Sequence, residues 1–598
     1  MSNKVLTRSE INDKDKWAIE DIYNSDEKFL SDCDVVMAKA KDVQKLAGTI
    51  KDGAEAFYNI FKLREEIEKN AEKIIMYSNM KFHEDTSVAK YQGYVSKSQA
   101  VAVFAENALS FIKPEILAMD EAVIYGYLNE LPELKVYKTE IDRLVDSKKH
   151  TLSKEEESIV AKTMEIASVP SDIYDVFAYS DIKFDDVHDE NGTLSPLTSG
   201  RYVSYMMSPN RQVRKEAFET MYGEIGKYIN TISAMFLGNL KKAKVYADIK
   251  KYNNSLEHAL LEKRIPTKIY DNLVETVNQN LDKMHKYVSI RKKALGLDEL
   301  HMYDVYVPII SDSAKKIDFD EAKTMVEAGL APMGEEYVFH LKEGFNNGWI
   351  DVYENEGKRS GAYSWGPYGT HPYVLLNYQG KLDDVFTLAH EMGHALHSFY
   401  SDRTQPYPYA EYQIFVAEVA STCNESLLIH HLLNNCTDKN ERAYLVNYFL
   451  ECFKGTVFRQ TMFAEFERIV HSKMDEGEML TVEDLCSIYY DLNIKYFGKD
   501  MVVDDQIKYE WARIPHFYTE FYVYQYATGF SAAIALSKRI MEMGQAGVDD
   551  YMKFLTGGSS MDPVDLLKAA GVDMSSKEPI EEALKLFGEL VDEFEKLV

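Results

Sequence analysis

The chain has 598 residues, 45% of them hydrophobic and 28% charged, and a formal net charge of −29. That length is too great for one core and predicts at least two lobes, while the composition excludes a disordered chain. The acidic balance argues against nucleic acid or an anionic membrane as a partner.

Five cysteines (Cys33, Cys423, Cys436, Cys452 and Cys486) are scattered and form no CxxC pair. They read as reduced thiols of a cytosolic protein, not as a disulfide frame. No N-terminal stretch has the apolar core of a signal peptide, and no segment is apolar for the length of a membrane span. The expected location is the cytoplasm.

Helical periodicity dominates from the start. Across residues 55–82, Phe57, Ile60, Phe61, Ile67, Ala71 and Ile74 recur mostly three and four apart, with charges on the other face. Residues 100–112, 155–166, 212–240, 266–295 and 441–469 show the same pattern and predict core helices; a last helix is expected over 580–597. The polar, turn-rich segment 188–200 (HDENGTLSPLTSG) is the best boundary. It separates an N-terminal helical lobe, 1–195, from a second domain, 196–598. The clearest strand is 372–378 (PYVLLNY), preceded by a glycine-rich stretch in which Gly361, Gly366 and Gly369 permit tight turns or close backbone approach. The expected fold is mainly α, with a small sheet near Tyr373.

The chemistry concentrates in residues 390–394, which read HEMGH inside a helical segment, 383–400. Asp383 or Asp384 can cap its start. Positions i and i+4 share a helix face, so His390 and His394 can direct imidazole nitrogens at one ion. Glu391 is turned about 100° from His390, which suits a general base beside the ion. HExxH fixes only three positions and arises by chance in roughly a few per cent of chains this long, so context matters. Here Phe386, Leu388, Ala395 and Leu396 make the helix a buried one, and Gly393 implies a close approach by a neighbour or a plain helix crossing.

A catalytic zinc takes three protein ligands and leaves one position open. His397 lies on the same face, but seven residues of helix place it roughly 10 Å from His390, too far for one ion. The metzincin arrangement is absent as well, since His397 replaces its glycine and Tyr400 its third histidine. His397 is therefore read as a hydrogen-bonding neighbour. A glutamate from the next helical stretch, 411–433, is the alternative. Glu411, Glu418 and Glu425 fall there at seven-residue steps, and spacing alone does not choose among them. Ala417 and Ala420 would let a neighbouring helix approach Glu418, and a carboxylate within FVAEVA needs a partner.

These blocks (GKRSGAYS, PYVLLNY, DVFTLAHEMGHALHS, FVAEVAST followed by Glu425, and PHFYTEFYVYQYATG at 515–529) resemble the thimet oligopeptidase superfamily, most closely its oligoendopeptidase F branch. The resemblance covers roughly residues 200–590. It implies one zinc ion held by His390, His394 and Glu418, with Glu391 as base and with Glu425 and His397 behind the ligands. It implies two helical lobes enclosing a deep channel, the small sheet beside the HExxH helix, and short unstructured peptides as substrates. His516 and Tyr522 match the family's donors to the tetrahedral intermediate, with Tyr526 next as a substrate contact. Tyr373 and Gly361 match the strand and glycine turn that meet an extended substrate. The implied enzyme is a zinc metalloendopeptidase. Its alternative is a helical zincin carboxypeptidase or dipeptidyl carboxypeptidase, for which Arg359 or Arg513 could hold a terminal carboxylate. A non-catalytic peptide-binding scaffold is the rival of another class. Glu391 weighs against it, because a structural zinc site needs no base.

Overall fold

Long amphipathic helices account for most of the chain, as the 3.6-residue periodicity requires. The computed structural model describes residues 5–310 and 316–598. Two compact units form, each from three separated stretches. The first comprises Met1–Lys149, Lys315–His431 and Leu536–Val572; the second comprises His150–Ala314, Leu432–Ala535 and Asp573–Val598. Residues 188–200 lie inside the second unit, where Val187–His188 pairs antiparallel with Leu194–Ser195. The division drawn at 195/196 coincides with no border of either unit.

In the first unit the helix expected over 55–82 is Ala54–Glu84. It packs with Asp26–Gln44 and Ala89–Leu109 around Phe29, Ile67, Ile74 and Tyr77. A buried carboxylate ties the N-terminal segment to the sheet. Asp351 is 1% exposed and receives Arg8 at 2.8 Å and Lys358 at 2.7 Å. Burial would raise its carboxyl, but these cations outweigh it and hold it below the usual range.

The sheet beside these helices has three strands. Tyr373–Leu375 lies in the middle, parallel to Ile350–Asp351 and antiparallel to Tyr363–Trp365, with Val374 opposite both Ile350 and Ser364. This corrects the expectation that the strand at 372–378 and its Tyr373 meet an extended substrate. Both its ladders are paired, and Tyr373 is fully buried against the N-terminal helices. A run such as YVLL is as apolar on one face as on the other, which is the mark of a central strand. The half-buried Tyr363–Trp365 is an edge instead.

In the second unit the expected run 212–240 is two helices, Arg211–Lys227 and Ile229–Ile249. The run 266–295 likewise divides into Thr267–Gln279 and Leu281–Ala294. The stretch 441–469 is Lys439–Phe453 and Arg459–Asp475 joined by one π-turn, Lys454–Phe458. Buried Glu510 collects Tyr489 at 2.6 Å, Arg459 at 2.7 Å and Tyr222 at 3.1 Å. Among the described residues no helix is long and apolar enough to cross a membrane.

Candidate metal centre

The HEMGH sequence lies on the helix Leu382–Thr404 of the first unit. Asp384 closes its first turn, accepting the Lys381 N–H at 2.8 Å. A second helix, Ile414–Asn435, crosses it at Gly393. A Cβ on Gly393 would stand 2.6 Å from Ser421 Cα and 2.9 Å from Ala420 O, so only glycine permits this approach. Asn424, fully buried, adds a polar tie by donating to Ala389 O at 3.1 Å and accepting Tyr337 OH at 2.9 Å.

The crossing brings the Glu418 carboxylate over both imidazoles. Glu418 Oε2 lies 3.3 Å from His390 Nε2 and 3.5 Å from His394 Nε2, and one donor atom from each of the three falls within 4.8 Å of the others. A tetrahedral zinc with bonds of about 2.0–2.1 Å needs ligand atoms about 3.4 Å apart. The donor set of two imidazoles and one carboxylate therefore fits the ion in type and in spacing.

Electrostatics point the same way. Burial disfavours charge on His390, but hydrogen bonds to Glu418 and Glu425 outweigh it and push the imidazole up to about 10. For Glu418 burial works upwards, yet the two histidines draw its carboxyl well below the usual range. The cluster is arranged to hold positive charge at its centre.

Of the three glutamates left open by spacing, Glu411 lies outside the helix. Glu425 hydrogen-bonds to His390 Nδ1 from behind, which fixes the ring and turns Nε2 toward Glu418. Glu391 is 7% exposed, and its Oε2 is buried without a hydrogen-bond partner. Burial raises its carboxyl, opposed by His390 and His394. An orphaned buried carboxylate oxygen beside a cluster that could hold a metal ion is a feature that a purely structural metal site would not keep.

His397 departs from expectation. It is fully buried with neither ring nitrogen hydrogen-bonded. Its ring lies parallel on Tyr412 at 3.7 Å, and Phe554 packs at 4.8 Å. Burial holds it neutral, lowered to about 3. It is a packing residue, held between the Tyr412 and Phe554 rings with no hydrogen-bond partner for either nitrogen. Sequence reasoning missed Asn424, although an asparagine in an otherwise apolar helical face was a usable signal.

The model of peptidase family M3 matches residues 204–586, and a second model, described as Oligopeptidase F, matches residues 115–184. The chain belongs to peptidase family M3. Oligopeptidase PepF of Bacillus subtilis (strain 168) is 46% identical over 597 residues, 100% of this chain and 89% of that one. An oligoendopeptidase F homolog of Lactococcus lactis subsp. lactis is 40% identical, covering 99% of this chain and 98% of its own. Among solved structures, oligoendopeptidase-F from Enterococcus faecium superposes with a TM-score of 0.76 at 35% identity, covering 96% of this chain and 98% of that one. The mainly α fold and the oligoendopeptidase F resemblance read from the motifs stand, and the M3 chain is a metalloendopeptidase.

The segment with the remaining expected donors belongs to the second unit. His516 sits exposed on a short 3-10 turn, Pro515–Tyr518; Tyr522 lies in the irregular stretch after it; Tyr526 is in the first turn of the helix Tyr524–Met543. Their rings cluster, with centroids 5.8 Å (His516–Tyr522), 5.7 Å (Tyr522–Tyr526) and 6.2 Å (His516–Tyr526) apart. Gly361, at φ +87°, makes the turn into the edge strand Tyr363–Trp365, and its carbonyl accepts Asn377 at 2.8 Å.

Proposed function

We propose that this M3 chain is a zinc endopeptidase that hydrolyses internal bonds of short, unstructured peptides. The observation that carries the reading is Glu418 Oε2 at 3.3 Å and 3.5 Å from the two HExxH imidazoles, with the unpartnered Glu391 Oε2 beside them. His390, His394 and Glu418 would hold one zinc ion, and Glu425 keeps His390 in the liganding orientation. When bound, zinc supplies Lewis-acid chemistry, favouring ionisation of water and polarising a carbonyl.

Glu391 takes a proton at Oε2 from the attacking water and returns it to the leaving amine; its burial keeps bulk water from competing. His516 and Tyr522 donate hydrogen bonds to the oxygen on which charge develops, and Tyr526 contacts the substrate. Gly361 leads an extended peptide onto the edge strand Tyr363–Trp365, where main-chain pairing binds any sequence. The oligopeptidase names of relatives that match over the full chain support short peptides as substrates. Five free cysteines, three of them buried, suit the reducing cytoplasm.

The test is mass spectrometry of products from free and end-blocked peptides, with and without a chelator. Internal cuts in blocked peptides, abolished by the chelator and restored by about one equivalent of zinc, are expected. Release of residues only from free C-termini would make it a carboxypeptidase; bound zinc with no turnover would make it a scaffold.

A further inference from the structure

Between the turn Pro515–Tyr518 and the helix Tyr524–Met543, Phe521 has φ +50°. A left-handed backbone is uncommon for any residue but glycine and an outlier for a bulky one, so the surroundings must impose it. Two helices of the same unit do so. From Ile229–Ile249, Asn239 donates to Phe517 O at 3.3 Å, and Lys242 pairs with Glu520 at 2.7 Å. From Arg459–Asp475, Glu467 accepts the Phe521 N–H at 3.0 Å. The Phe521 ring is 1% exposed and packs on His471 at 4.5 Å and Tyr270 at 5.5 Å.

Glu467 itself is fully buried, and its second oxygen has no hydrogen-bond partner. Burial pushes its carboxyl well above the usual range, which favours its neutral form. A buried carboxyl with an unsatisfied oxygen destabilises a core that a leucine would fill without penalty. The contact it makes in return is to the amide of the strained residue, next in sequence to Tyr522.

We infer that Glu467 is a positioning residue for Tyr522: its carboxyl oxygen holds the Phe521 N–H, and with it the left-handed turn that presents Tyr522 beside His516 and Tyr526. This rests on the proposed role of Tyr522 as a donor to the reacting carbonyl oxygen.

A kinetic double-mutant cycle tests it, with zinc content and thermal stability measured on every variant. Glu467→Leu removes the acceptor and should lower kcat about a hundredfold, the scale of a displacement of about 1 Å, with KM little changed. Glu467→Gln keeps a carbonyl oxygen in place and should stay near wild type. In a Tyr522→Phe background, Glu467→Leu should add almost nothing, because both changes remove the same interaction. If Glu467→Leu does not fold, Phe521→Val replaces it in the cycle, since a β-branched residue is excluded from the left-handed region. An impaired Tyr522→Phe with a near-normal or fully additive Glu467→Leu overturns the positioning role alone. Near wild-type turnover in Tyr522→Phe itself overturns the reading of Tyr522 and the positioning role with it.

Discussion

The HEMGH helix of the first unit and the segment 515–526 of the second carry the two parts of the proposed chemistry, and they are built in opposite ways. In the first, three donors sit on regular helices. His390 and His394 are one turn apart, and Glu418 is delivered by a crossing that Gly393 makes possible. In the second, His516, Tyr522 and Tyr526 are brought together by irregular backbone that side chains of two other helices hold in a left-handed turn. Rigid helices suit ligands that must hold one ion within tenths of an ångström. A cradled loop can aim a hydroxyl in a direction no helix or strand supplies, at the cost of depending on its neighbours.

Three changes to the helical site sharpen that contrast. The largest effect is expected from Glu391→Gln, which removes the proposed base and none of the proposed ligands. Turnover should fall about 10²–10⁴-fold while zinc content stays normal, measured by steady-state kinetics beside metal analysis. Full activity in that variant would sink the mechanism. Next is Glu425→Gln, which weakens the contact behind His390 and leaves the three proposed ligands in place. Zinc affinity, read by competition with a chromophoric chelator, should drop about 10–100-fold; an unchanged affinity would mean the two helices alone orient His390. The smallest is Gly393→Ala. Its new methyl meets the backbone of Ser421, which cannot rotate away, so the helices must separate. A loss of about 1–3 kcal/mol in denaturant unfolding is expected, with weaker zinc binding. Gly361→Ala is the control: its φ is +87°, but nothing lies within 4 Å of the added carbon, so strain appears without displacement of the metal site.

Legibility followed the same division. The helical content, the shared face of His390 and His394, and the exclusion of His397 as a ligand came from the periodicity and rise of a helix, which are local properties. Resemblance selected Glu418 for the third ligand; spacing left it level with Glu411 and Glu425. The geometry separates them, with Glu418 on the two imidazoles, Glu425 behind His390, and Glu411 outside the helix. The role expected of His397 as a hydrogen-bonding neighbour failed because its surroundings are Tyr412 and Phe554, which lie 15 and 157 residues further along the chain.

By itself the sequence determined a mainly α chain with an HExxH helix, because apolar spacing and short motifs act within a few turns of one element. Only the tertiary structure decided which strand is central and which glutamate faces the histidines. It also decided what holds Phe521 in a left-handed turn. Each of these depends on groups far apart in sequence, such as Glu467 and Phe521 or Ile350 and Val374, whose meeting is settled by packing and by the pairing of buried polar groups.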